Sequence, residues 1–252
     1  MKKKALIVWG GWDGHDPEQV AHAYKDILES ENFDVEMADT LSAFEDEEKL
    51  MGLNIIVPCW SHGEITPQQH GPVIKAVASG VGIAGCHGGM CDSFHDCMDW
   101  QLMTGGQWVA HPNGQHVRFQ VHYVDKTHPI TQGLEDFETV SEHYYLLVDP
   151  AVHVLATTRM PVGKGAYTNI GDTSIDPDST YGVWNFDENE FNDSMEAVGP
   201  HITNGVFDMS VMWTKYFGQG RVFYNSCGHS ISHFMEKPNL EVTRRALLWT
   251  AK

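Results

Sequence analysis

The sequence predicts an α/β fold, a mostly parallel sheet covered on both faces by helices, and three observations lead there. Short apolar runs without alternation recur through the first half of the chain, as expected of strands buried on both faces. Segments with helical spacing separate the runs, so successive strands are joined by crossovers rather than hairpins. Glycine-rich, histidine-bearing turns follow several runs, at the carboxyl ends of strands where open sheets bind ligands.

Lys4 to Trp9 ends at Gly10-Gly11 and reads as the first buried strand. Asp16-Pro17 opens a helix: Asp suits the cap and Pro the first turn. Val20, Tyr24, Ile27 and Leu28 keep helical spacing to about Glu31. Phe33 to Met37 and Asn54 to Pro58 are the second and third strands. Thr66-Pro67 starts a helix with Val73, Ile74 and Val77 inward, ending at Gly80. Val81 to Gly85 is the fourth strand, followed by one helix from about Met90 to Met103. From His116 to Val124 the pattern alternates, which predicts a half-exposed, antiparallel strand with His116, Arg118, Gln120 and His122 on its solvated face. His22, His70 and His95 read as helix positions, and Cys59, Cys91 and Cys97 as packing residues. Val152 to Thr157 and Arg221 to Tyr224 are further strands, and Leu240 to Thr250 a closing helix. The whole of 1–252 reads as one domain. A loop-rich insertion at about 160–204 is too long for a connector. It reads as a lid, an oligomer contact or a surface excursion.

Composition narrows the function classes. A formal charge of −18 repels phosphate backbones and anionic lipid, so neither nucleic acid nor membrane is an expected partner. Lys2 to Lys4 followed by Ala5 to Trp9 imitates a leader, but the apolar run is too short for one. No stretch approaches the ~18 apolar residues of a membrane span. Five cysteines without scaffold spacing read as reduced thiols, and the expected location is cytoplasmic. Eight tryptophans leave room for a homo-oligomeric contact. The 15 histidines nearly equal the 16 lysines and arginines; some must lie on the surface, and the question is which ones converge.

The loop from Gly10 to His15 resembles a phosphate loop but lacks the dinucleotide fingerprint and a following Lys-Ser/Thr, so no nucleotide is expected. It places Trp12 and His15 at the sheet's upper edge. Trp60 to Glu64 forms the next such loop. Gly85-Cys86-His87-Gly88-Gly89 lies in the strand-turn-helix context of a nucleophile elbow. Two readings of it stay open. The glycine frame puts His87 at the apex, as metal ligand or general acid/base. Shifting the frame by one makes Cys86 a thiolate nucleophile. Downstream, His111 follows the elbow helix, Glu142-His143-Tyr144 sets a carboxylate beside aromatics, and His229 follows the strand ending at Tyr224. These residues together are a donor set for zinc or manganese. Trp12, Trp60 and Tyr144 offer stacking faces for a sugar ring.

Several segments resemble those of the trehalose-utilization (ThuA-like) family. They are the His-bearing first loop, Thr66-Pro67-Gln68-Gln69, Gly85 to His87, His111-Pro112, His128 to Leu134, Glu142 to Tyr144, and Met212-Trp213 through Gly220 to His229. The resemblance implies a class I glutamine-amidotransferase-like fold, a flavodoxin-like three-layer sandwich with a mostly parallel sheet and some antiparallel additions. It implies a role in sugar utilization, on trehalose-related or 3-keto disaccharides. It carries His87, His111, Glu142, His229 and His15 onto the site. Amidotransferases use an elbow Cys and a late His followed closely by Glu; here Ser230, Ile231 and Ser232 follow His229, which counts against glutamine hydrolysis. Three functions are therefore expected to compete. The first is an enzyme on a small carbohydrate, working through catalytic His87, Glu142 and His229, with His87, His229 and His15 on a metal. The second is a Cys86-dependent amidase or hydrolase. The third is a non-catalytic sugar-binding module.

Overall fold

The computed structural model describes residues 2–111, 115, 117–160 and 207–252. In chain order the first half contains β1 (Lys3–Gly11), α1 (Pro17–Ser30), β2 (Phe33–Ala38), α2 (Glu47–Met51), β3 (Ile55–Ser61), α3 (Pro67–Ala78) and β4 (Gly82–Cys86). Two short helices follow, α4 (Gly88–Cys91) and α5 (Met98–Thr104). Then come β5 (Gly106–Ala110), β6 (Val117–Tyr123), β7 (Phe137–Ser141), β8 (Tyr145–Val148) and β9 (His153–Met160). The chain closes with β10 (Phe207–Phe217), β11 (Gly220–Asn225), α6 (Ile231–Phe234) and α7 (Lys237–Thr250). The insertion expected at about 160–204 lies, beyond Met160, outside the described residues, as does His116.

Nine strands form one sheet in the order β2-β1-β3-β4-β11-β10-β9-β6-β7, and β5 and β8 form a separate antiparallel ribbon. β2, β1, β3, β4 and β11 are mutually parallel. β10, β9, β6 and β7 extend the sheet antiparallel. The apolar run of β1 is buried on both faces: Ala5 and Ile7 join one core with Val20, Tyr24 and Leu28 of α1, Phe234 of α6 and Val242 and Leu247 of α7. Leu6 and Val8 join the other, with Val73 and Val77 of α3, Met90 of α4 and Trp100 and Met103 of α5. Helices on both faces of the sheet make three layers, as the unbroken apolar runs predict.

Local chemistry sets the element ends. Pro67 starts α3, and the Gln69 side chain accepts from the Thr66 N–H at 3.0 Å, half of a capping box. Asp16 precedes α1 but does not cap it; its carboxylate instead accepts from the Ile231 N–H at 3.0 Å, tying the β1 loop to α6. The single helix expected from Met90 to Met103 is broken. Ser93 Oγ donates to the carbonyls of Trp60 and Gly88, and Phe94 takes a positive φ of 51°. Such side-chain-to-backbone bonds compete with the helical ladder. His95 consequently sits in a turn rather than on a helix. β6 alternates as expected, with Arg118 exposed and Gln120 and His122 half-buried, between antiparallel β7 and β9. The string from His128 to Leu134 is a set of turns: Asp125 accepts the N–H groups of Thr127 and His128, and Arg245 of α7 donates to the Gln132 carbonyl. Among the described residues no helix is long and apolar enough to cross a membrane.

Candidate functional site

The chain runs from β1 outward to β2, then returns to the far side of β1 as β3. This reversal opens a crevice at the carboxyl ends of β1 and β3, the switch point where open α/β sheets bind ligands. His15, just past β1, reaches across it: its Nδ1 lies 2.6 Å from Ser61 Oγ at the end of β3. Next to it, β4 ends in the elbow. His87 sits at the apex with φ 46° and ψ −138°, a conformation that costs a non-glycine residue about 1–3 kcal/mol. Gly88 follows because nothing larger fits: a Cβ there would stand 2.3 Å from His15 Cε1. β11 delivers His229 through a loop held by Asn225, whose Oδ1 accepts from Cys227 N–H at 2.9 Å and whose amide donates to Asn239 at 2.7 Å.

Glu142 arrives from elsewhere, between β7 and β8. Its carboxylate sits among imidazoles: Oε2 is 3.0 Å from His87 Nε2, 3.2 Å from His229 Nδ1 and 3.8 Å from His15 Nε2, and Oε1 is 3.8 Å from His111 Nε2. Its ion pairs among the described residues are all with histidines, none with Lys or Arg. Glu142, His15, His87 and His229 are all buried, and His111 is partly open to solvent.

The proton inventory of this cluster does not close on its own. The Ser226 carbonyl, 2.8 Å from His87 Nδ1, can only accept, so Nδ1 carries the proton. Burial lowers the His87 pKa to about 3, so the ring is neutral near pH 7 and its Nε2 is a lone pair. Burial works against ionisation of Glu142, but His111 foremost, and then the contacts of His15, His229 and His87, hold its carboxyl well below the usual range. A lone pair thus faces a carboxylate oxygen at 3.0 Å, which is repulsive unless a proton or a cation joins the cluster. His229 Nδ1 is also buried, 3.2 Å from the carboxylate, and among the described residues it makes no well-formed hydrogen bond, a state costing about 1–3 kcal/mol. One donor atom from each of His15, His87, Glu142 and His229 lies within 4.8 Å of the others. Three imidazoles and a carboxylate suit zinc and similar divalent ions, and a ring N–H given to a carbonyl, as in His87, is how ligating histidines are usually oriented. The cluster could therefore hold a metal ion.

The remaining predicted residues divide. His111, beside the carboxylate, is stacked on Trp108 at 5.7 Å between centroids. Trp12 is half-buried and meets His15 edge-on at 4.7 Å. Tyr144 is buried with its ring stacked on His87 at 3.9 Å, so it braces the imidazole instead of offering an open face. The Trp60 ring packs against Gly10, and no ring contact joins it to the four imidazoles among the described residues. Cys86 is one residue before the apex and turns into the core beside Tyr24; burial pushes its pKa up to about 12. Sequence reasoning missed Trp108, whose only signal was an aromatic three residues before His111. It also missed Ser61 and Ser226, whose roles depend on strand neighbours.

A family model described as trehalose utilisation matches residues 4–250. No curated protein matches the chain significantly. Among solved structures, a putative ThuA-like protein of Bacteroides uniformis aligns with a TM-score of 0.68 at 17% identity, over 98% of this chain and 91% of that one. One from Parabacteroides merdae gives 0.68 at 15% identity, over 100% and 91%. A putative GMP synthase component of Thermoplasma acidophilum gives 0.53 at 12% identity, over 98% and 93%. At these identities the structural likenesses establish the fold, which is ThuA-like and amidotransferase-like, and nothing finer.

Proposed function

The chain belongs to the trehalose-utilisation family, and from that premise we propose that it is an enzyme acting on a small carbohydrate, of trehalose or keto-disaccharide type, through a divalent ion at His15, His87, Glu142 and His229. One observation carries the reading: a buried carboxylate surrounded by imidazoles, with no Lys or Arg partner among the described residues and with the His87 lone pair turned toward it. A bound zinc or manganese ion would supply an electrophile that polarises a carbonyl or acidifies water. The chain's own residues do the rest. Ser226 and Tyr144 fix the His87 ring, and Ser61 fixes His15. His111, the partly exposed imidazole beside Glu142, is suited to carry a proton between the carboxylate and a substrate hydroxyl or acidified C–H. Trp12 and Trp108 flank His15 and His111 and offer the apolar faces a sugar ring stacks on.

Elemental analysis of protein purified without chelator, combined with turnover of a panel of keto-disaccharides, tests this. The expected result is near-stoichiometric zinc or manganese and measurable turnover, both lost in His87→Ala and His229→Ala. Metal-free protein that reconstitutes with no ion and turns over nothing in the panel would end the proposal. The Cys86 alternative has little support, because a buried thiol with its pKa near 12 is a poor nucleophile at neutral pH.

A further inference from the structure

A second group of metal-binding side chains lies beside the first and shares no residue with it. It is built by the break between α4 and α5. That break folds Asp92 and Ser93 alongside the loop after β3, where Ser93 forms a parallel bridge with His62. The His62 N–H donates to the Asp92 carbonyl at 2.7 Å, and the Phe94 N–H to the His62 carbonyl at 3.4 Å. His62 and Phe94 both hold positive φ, 60° and 51°, so the two loops are locked together in an uncommon backbone geometry.

Three side chains converge there. Asp92 is buried, with only 3% of its side chain exposed, and its Oδ1 is 2.6 Å from His95 Nε2 and 3.6 Å from His62 Nδ1. As with Glu142, its ion pairs among the described residues are with imidazoles only. One donor atom from each of the three lies within 4.8 Å of the others. Ligand bonds of roughly 2.0–2.2 Å then require His95 Nε2 and Asp92 Oδ1 to part from their hydrogen bond to about 3.3 Å and the exposed His62 ring to turn toward them. The His62 ring is also near-parallel to that of His15, 6.4 Å away, with Trp12 edge-on to both. The second group is therefore fixed against the first, on its solvent side.

We propose that His62, Asp92 and His95 form a second divalent-cation site, of zinc type, open to solvent. Two imidazoles and one carboxylate are a three-ligand set, which leaves coordination positions free, unlike the four donors of the buried cluster. The proposal stands on its own residues and does not depend on the buried cluster being filled.

The test counts ions. Chelator-stripped protein is titrated with Zn²⁺ by calorimetry, and bound metal is measured after dialysis. Wild type is compared with His62→Ala, with His62→Ala/His95→Ala and with Glu142→Gln. His62 is 46% exposed, so the single variant keeps the test meaningful if the double variant folds poorly. The expected result is one ion fewer in the double variant, at least a tenfold weaker second ion in His62→Ala, and that same ion retained in Glu142→Gln. A single wild-type ion lost only in the histidine variants would uphold this site while removing the buried one. A single ion lost only in Glu142→Gln, or equal stoichiometry and affinity in wild type and histidine variants, would overturn it.

Discussion

The parallel and antiparallel halves of the sheet contribute to the site in different ways. The parallel half, β1, β3, β4 and β11, supplies His15, His87 and His229 from the loops that follow its strands. The segment from β5 to β8 supplies Glu142 and His111 from outside that half. One half therefore presents imidazoles in fixed positions, and the other brings the carboxylate that they surround. If the proposed ion binds there, both halves are needed to hold it, and the division gives ways to test that.

The largest effect is expected from removing the charge while keeping its shape. Glu142→Gln should weaken zinc binding by at least about 100-fold, beyond the roughly 10–100-fold typical when only an orienting partner of a ligand is lost. In metal-free protein the same change should lower Tm, because a carboxyl held well below its usual pKa by imidazole neighbours, against the opposing effect of burial, contributes stability when ionised. Calorimetry and thermal melts check both, and a higher metal-free Tm would show instead that the carboxylate is uncompensated without an ion.

On the parallel side, Gly88→Ala drives a methyl into His15 and toward Ser61 Oγ. Overpacking of this kind should cost about 1–3 kcal/mol in urea unfolding. If His15 moves to relieve it, ion affinity should fall about tenfold as well (1.4 kcal/mol per decade). A stable Gly88→Ala protein with native affinity would show that the crevice is looser than these contacts imply.

The antiparallel half should also respond to acid. His143, next to Glu142 but turned away from it, stacks on Phe119 at 4.2 Å, and burial lowers its pKa to about 3. The unfolded chain takes up this proton near pH 6.5, whereas the folded protein resists until about pH 3. Its stability contribution is thus complete above pH 6.5 and declines as pH falls toward 3, by up to about 1.4 kcal/mol per unit. Urea midpoints between pH 4.5 and 7 should show that slope flattened in His143→Gln.

The smallest effect is expected at Cys86. Cys86→Ala should change turnover by less than about twofold, and the folded wild-type thiol should resist iodoacetamide, since reaction needs the thiolate. Rapid alkylation with parallel loss of turnover would restore the thiol reading of the elbow.

How much could be read in advance follows the same division. β1 to β4 and β11 were legible because strands buried on both faces need continuous apolar runs, and their loops inherit predictable positions. His15, His87 and His229 were accessible for that reason. The glycine frame also favoured His87 as the apex residue, and it is His87 that occupies the positive-φ position. Glu142 was legible as a carboxylate among aromatics, but its aim toward residues 55 and 87 positions away depends on tertiary contacts that leave no local periodicity. β5, β7 and β8, 4 or 5 residues long, went unrecognised because they lack room to establish a period, and the 11-residue β10 went unrecognised because Asp208, Ser210, Thr214 and Lys215 break both an apolar run and a clean alternation. His95 was misplaced because the helical spacing from Met90 to Met103 says nothing about Ser93 bonding Trp60 in another loop. Tyr144 reads in sequence as a sugar platform, and only packing shows that its ring lies against His87.

β11 lies in the middle of the sheet, between β4 and β10, yet it is among the last segments of the chain. During translation β4 therefore leaves the ribosome with one unpaired edge and keeps it while the chain grows from Cys86 to Gly220, on the order of ten seconds at ordinary elongation rates. Throughout that interval the nascent chain carries an apolar strand ready to pair with other chains. The imidazole of His229 does not yet exist, so no ion could be captured by the complete buried set until residue 229 is made. If the proposed ion binds, chain growth itself places its loading after that point, and a ribosome stalled before Arg221 holds an aggregation hazard.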